Sequence, residues 1–143
     1  MSAKAASQVV VDASIVIKWL LTEPDSAAAL KRRQTWQSKV VVPVAPDFLL
    51  IELHNVLWKK VQRGDLAPEA PLLSYAPTFK LDLNWFPFEP LLPLAWMLAI
   101  RCHVSIYDAL YAALAQQLNA PFCTANVSLA KRLERAVSIS RLA

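Results

Sequence analysis

The sequence predicts an α/β fold built around a short parallel sheet, and three observations carry that reading. Gln8-Val9-Val10-Val11-Asp12 is a brief β-branched run of the kind found in strands buried on both faces. Similar short runs recur at Val40-Val41-Val42-Pro43 and Pro121-Phe122-Cys123-Thr124, with helix-length segments between them. The chain has 143 residues, 56% hydrophobic and 18% charged, enough for one buried core and too apolar for a disordered chain.

Taken in order, residues 1–7 are small and polar and read as a loose tail, leaving 8–143 as a single domain. After the first strand, residues 13–21 form a short apolar helix. Residues 25–38 follow as an amphipathic helix with Lys31, Arg32 and Arg33 outside. Pro46 fits the first turn of a helix reaching to Arg63, and Gly64, the only glycine, fits its C-terminal cap. Six of the ten prolines lie between Pro68 and Pro93, so short helices and irregular chain are expected there. Asn84-Trp85-Phe86-Pro87-Phe88 reads as an edge strand, because proline is excluded from a central one. Helices at 91–102, 106–118 and 127–136 and a last strand at 137–140 complete the chain.

Composition excludes several classes. Two cysteines, Cys102 and Cys123, support neither a disulfide scaffold nor a four-cysteine zinc site, and Cys102-His103 lacks zinc spacing. The apolar stretch Leu91–Ile100 is about half of the ~20 residues a membrane span needs. Asp12 and Lys18 interrupt the only apolar run near the N-terminus, so no signal peptide is expected and the cytoplasm is the expected location. The net charge of +4 is compatible with a polyanionic partner without requiring one. A mean hydropathy of +0.35 points to apolar surface covered by another chain. Trp36, Trp58, Trp85 and Trp96, with Phe86 and Phe88, exceed what a core of this size readily hides.

In parallel sheets, ligand sites lie beyond the carboxyl ends of the strands, so the polar residues there are the candidates. Asp12 ends the first strand with Ser14 two residues on; it either serves a cation or a phosphoryl group or caps the next helix. Glu52 falls inside or at the border of the apolar stripe of Leu49, Leu53, Val56 and Leu57. A carboxylate so placed needs a Lys or Arg partner or a metal. Asp108 is the only charged residue from Ile106 to Ala115 and is the sharpest signal. It reads either as a metal ligand or as the acid of a capping box opened by Ser105. Thr124 and Asn126 follow a later strand, where Asn126 either caps the last helix or offers an amide oxygen to a cation.

These elements together resemble a PIN-domain ribonuclease of the VapC toxin type. The likeness rests on Val10-Val11-Asp12-Ala13-Ser14, Glu52 within Asp47–Trp58, Tyr107-Asp108-Ala109-Leu110-Tyr111-Ala112-Ala113-Leu114-Ala115, and Pro121-Phe122-Cys123-Thr124-Ala125-Asn126, spread over residues 8–135. The resemblance implies a three-layer α/β/α sandwich with a short central parallel sheet, whose acids gather at the strand ends and bind Mg²⁺ or Mn²⁺. It implies catalytic roles for Asp12, Glu52 and Asp108, direct metal ligation by Asp12 and Asp108, and support from Ser14, Thr124 and Asn126. It also implies an RNA substrate, a cognate antitoxin and a homodimer. The pattern departs at Asn126, where the family's fourth acid would fall, so a second metal is expected to bind more weakly.

The expected chemistry is RNA phosphodiester hydrolysis, which needs an activated water and neutralised charge at the phosphate. A haloacid-dehalogenase-type phosphatase is disfavoured because Ser14 stands where a second acid is required. The remaining rival is a PIN-like binding or scaffolding module weakened by Asn126.

Overall fold

The structure, a computed structural model, describes residues 7–69 and 83–142. Strand β1 (Ser7–Val11) leads into α1 (Ala13–Leu20), α2 (Ser26–Ser38), β2 (Val41–Pro46) and α3 (Leu49–Gln62). Beyond the next described residues come β3 (Asn84–Phe86), a 3-10 turn (Glu89–Leu91), α4 (Leu92–Cys102) and α5 (Ile106–Leu118). The last elements are β4 (Phe122–Thr124), α6 (Val127–Leu133) and β5 (Ile139–Arg141).

The five strands form one sheet in the order β3-β2-β1-β4-β5, and every pairing is parallel. Val10 of β1 stands opposite Val44 of β2 on one side and Phe122 of β4 on the other. Val9, Val10 and Val11 are all buried, so both faces of the central strand are covered. Helix α5 packs on β1, β2 and β4, and α4 packs on α5. Ala109–Ala115 of α5 are buried without a break, which is why that segment carries no outward polar stripe. The α/β fold around a short central parallel sheet expected from the sequence is therefore the fold found.

Strand order decides where a ligand can sit. From β1 the chain builds outward to β2 and β3 on one side, then returns to build β4 and β5 on the other. The crevice of such a sheet lies where that direction reverses, beyond the carboxyl ends of β1 and β4. Asp12 follows β1 directly, and Ala125-Asn126 follow β4.

Several element boundaries differ from the sequence reading. β2 begins at Val41, after Val40 in the left-handed region (φ 56), and runs through Pro43 to Pro46. Pro46 therefore ends a strand instead of opening a helix, and α3 starts at Leu49. Among the described residues β3 pairs with Val44–Pro46 and not with Pro43, which leaves β2 an edge strand at that proline. The third strand stops at Phe86, ahead of Pro87, and is a sheet edge as expected. The last helix stops at Leu133 and the last strand is Ile139–Arg141. Ser7 belongs to β1; the rest of the expected tail, and residues 70–82 of the proline-rich stretch, lie outside the described residues.

Gly64 closes α3 as predicted. At φ 79 it takes the left-handed conformation, its N–H donates to the Val61 carbonyl, and the Asp65 N–H donates to that of Lys60. This pair of bonds is a Schellman cap. Of the aromatic residues singled out by sequence, Trp36 is in the core against Trp19, and Trp85 and Phe86 are half-buried against it. Trp58 and Trp96 are 58% and 62% exposed, and Phe88 lies at the margin of exposure. Among the described residues no single helix is long and apolar enough to cross a membrane.

Candidate active site

Asp12 leaves the end of β1 with only 4% of its surface exposed. Its carboxylate does not cap α1; both oxygens are taken by hydroxyls. Ser14 Oγ donates to Oδ1 at 2.5 Å and Thr124 Oγ1 donates to Oδ2 at 2.6 Å. Those hydroxyls are themselves held from β4, since Ala125 N–H donates to Ser14 Oγ at 2.9 Å and Asn126 N–H donates to Thr124 Oγ1 at 3.1 Å. Two strand ends thus fix one carboxylate. The hydroxyls hold the carboxylate, and the Ile15 backbone N–H in the first turn of α1 adds only a weaker pull toward its charged form.

Glu52 projects from α3. Its partner is a phenol: Tyr111 of α5 donates its hydroxyl to Glu52 Oε2 at 2.8 Å. The expected alternative, an ion pair with Lys or Arg, is not found for it among the described residues. Burial and the neighbouring acid push the Tyr111 phenol far above its ordinary value, so it remains a donor. Sequence reading missed this tyrosine. The available signal was its placement in a helix buried all round, where a hydroxyl must find a partner.

Asp108 sits in the first turn of α5, half-buried, and its N–H donates to Ser105 Oγ at 3.1 Å. Ser105 is therefore the N-cap, as the capping-box reading has it, and Asp108 enters the helix close enough to Asp12 for their charges to repel. Asn126 caps α6 through its amide oxygen, which accepts from Leu129 N–H at 3.1 Å. Its side chain is exposed and lines, with Asp108, Ser105, Ser128 and Arg132, a recess on one side of Asp108. On the other side Asp108 shares a groove with Glu52, Asn55, Lys59, Phe48 and Tyr107. None of these last four was singled out by sequence.

Electrostatics join the three acids. Burial pushes Asp12 up to about 6, with Asp108 adding to the rise. Burial pushes Glu52 up to about 7, helped by repulsion from Asp12 and Asp108. Burial also raises Asp108. Every pair among the three acids therefore repels, and no Lys or Arg among the described residues bridges to any of them. Among the described residues no three His, Cys, Asp or Glu side chains form a group able to hold a metal ion on their own. The donor set is all oxygen, under-neutralised and partly desolvated, which suits a hard cation that keeps several of its waters and takes one or two carboxylates. Cys123 is buried, its thiol pushed up to about 11 by that burial, and does not compete as a ligand.

Comparison with known proteins agrees with this architecture. The PIN domain model matches residues 9–134. Ribonuclease VapC3 of Pyrobaculum aerophilum is 29% identical over 133 residues, covering 92% of this chain and 98% of the relative. Ribonuclease VapC1 of Mycobacterium tuberculosis is 32% identical over 122 residues, covering 85% and 87%. Among solved structures, VapBC2 from Rickettsia felis bound to a DNA fragment from its promoter superposes with a TM-score of 0.68 at 15% identity, over 94% of this chain and 98% of that one.

Proposed function

The chain belongs to the PIN-domain family, on its VapC-type branch, and from that premise we propose that it is a metal-dependent endoribonuclease toxin held in check by a cognate antitoxin. What supports the reading is the mutual repulsion of Asp12, Glu52 and Asp108 near the carboxyl ends of the parallel strands, with no basic partner for any of them among the described residues.

Asp12 and Asp108 are the residues to hold Mg²⁺ or Mn²⁺ directly, and Glu52 holds it directly or through a bound water. When bound, the cation supplies positive charge at the phosphate and a more acidic water. The chain contributes placement. Ser14 and Thr124 prevent Asp12 from rotating, and Tyr111 does the same for Glu52. A cation entering this site also relieves the repulsion that raises the three carboxyls.

Two related proteins bear the name ribonuclease, and a structural neighbour is a VapBC assembly. The exposed Trp58 on α3 and Trp96, Met97 and Ile100 on α4 offer apolar surface for a partner chain and for a second protomer. The deciding experiment is cleavage of a panel of structured RNAs with Mg²⁺, Mn²⁺ and EDTA compared. Cleavage that needs the cation and vanishes in Asp108→Ala supports the reading; cleavage that survives EDTA removes it.

Asn126 favours a second reading, a PIN-like binding or scaffolding module with weakened catalysis. Its amide oxygen is engaged in capping α6, and it brings no charge to the site. Binding of RNA without cation-dependent cleavage would select this alternative.

A further inference from the structure

The groove that holds Glu52 and Asp108 also contains a flat aromatic surface that the nuclease chemistry does not use. Tyr107 precedes Asp108 in the chain and is 60% exposed. Its ring lies parallel to that of Phe48, with centroids 5.2 Å apart and planes 11° apart. Phe48 is braced edge-on by Phe88 at 6.5 Å. The backbone beneath is fixed, because Asp47 Oδ1 accepts from Phe88 N–H at 3.1 Å and Asp47 N–H donates to the Phe86 carbonyl at 2.8 Å. One face of Tyr107 is therefore backed by a rigid ring while the rest of the residue faces solvent.

Charge around the platform is arranged for a polyanion. Lys59 lines the same groove, two helical turns from Glu52 on α3, and Arg132 lines the recess on the far side of Asp108. Cations thus flank the acids on both sides, attracting phosphates and opposing a basic peptide drawn to the carboxylates. An exposed, pre-stacked ring beside a charged track is how single-stranded nucleic acid is held, each base offering a π-face.

We propose that Tyr107, backed by Phe48, is a stacking platform for an unpaired nucleobase next to the phosphate presented to Asp108. The proposal rests on the ribonuclease reading. The test uses the full chain and a single-stranded oligoribonucleotide carrying 2-aminopurine, mixed rapidly with Mg²⁺ so that fluorescence is read before cleavage. Wild type is expected to quench the probe. Tyr107→Leu is expected to lose the quench and raise KM about 5- to 150-fold, the range for one stacked base. Tyr107→Phe, which keeps the ring, is expected to restore the quench. Thermal unfolding of each variant checks the fold.

Tyr107→Leu that cleaves and quenches like wild type overturns the platform while leaving the nuclease standing. Equal cleavage of a fully paired duplex and its single strand overturns it too. Loss of binding to a co-purifying protein partner, with RNA binding intact, assigns the rings to that partner and also overturns the proposal. Absence of any cation-dependent cleavage by wild type removes the nuclease reading, and the platform with it.

Discussion

Tyr111 reaches from the buried face of α5 to donate its hydroxyl to Glu52 Oε2 at 2.8 Å, and its ring stacks on Phe122 of β4 at 5.8 Å, planes 6° apart. One residue thereby ties the core of the sheet to a carboxylate of the site. The bond favours the ionised form of Glu52 against burial, which raises its pKa to about 7.

Tyr111→Phe should therefore leave the fold intact and move the acid. The stack on Phe122 survives and the cost to stability is about 1 kcal/mol, the usual worth of one hydrogen bond. Glu52 loses the donor that opposes its rise, so its pKa goes up. The acid limb of the cleavage pH profile is expected to shift to higher pH. An unshifted limb would show that Glu52 does not titrate in the working range.

Asp12 makes a prediction about stability. Its folded-state pKa of about 6 lies above the ordinary 3.8, so the folded chain holds the proton more tightly than the unfolded one. Native protein then binds more protons than unfolded protein between these values, and stability falls as pH rises through that window. A rise of roughly two units corresponds to about 3 kcal/mol. Glu52 adds a change of the same sign between 4.5 and about 7. Metal-free protein should melt higher at pH 4.5 than at pH 8. Asp12→Asn should narrow that gap and abolish cleavage together. Denaturant melts at the two pH values measure it, and a gap unchanged in Asp12→Asn would show the carboxylate to be solvated.

Much of this was legible in sequence. A β-branched run ending in aspartate and a helix with one acid located Asp12 and Asp108, because burial leaves few reasons for a charge. Glu52 was placed by its helical stripe, but its partner was not, because pairing between α3 and α5 is set by tertiary packing. The strand through Pro43 and Pro46 was misplaced for a similar reason. Whether a proline is tolerated depends on where the neighbouring strand begins, and that is invisible locally. Tyr107 and Phe48 are 59 residues apart, so no periodicity announces their stack.

Asn126→Asp tests the one departure from the family pattern. Aspartate caps a helix as well as asparagine does, so α6 should be kept and stability should change by only a few tenths of a kcal/mol. An added charge beside Asp108 should tighten Mg²⁺ or Mn²⁺ binding on the order of tenfold, about 1.4 kcal/mol. Isothermal titration with each metal reads the affinity, and a cleavage assay reads the rate. Identical titrations for both proteins would place position 126 outside the cation's reach.

The last expectation concerns company. Trp58, Trp96, Met97 and Ile100 are each more than half exposed on α3 and α4, and large apolar side chains of this kind anchor interfaces when a partner excludes water from them. A typical interface buries on the order of 1,600 Å² in total, enough to cover several of them. The chain is expected to be a homodimer by light scattering and to co-purify with the product of an adjacent small gene. Trp96→Glu should weaken self-association, because it places a charge where an apolar surface must close. Trp58→Glu should do the same to whichever contact uses α3. Cleavage should be unaffected in a Trp96 variant that becomes monomeric, since the three acids come from one chain. A wild-type monomer that takes up no partner would remove the toxin–antitoxin part of the reading, while leaving the acid site and its cation test in place.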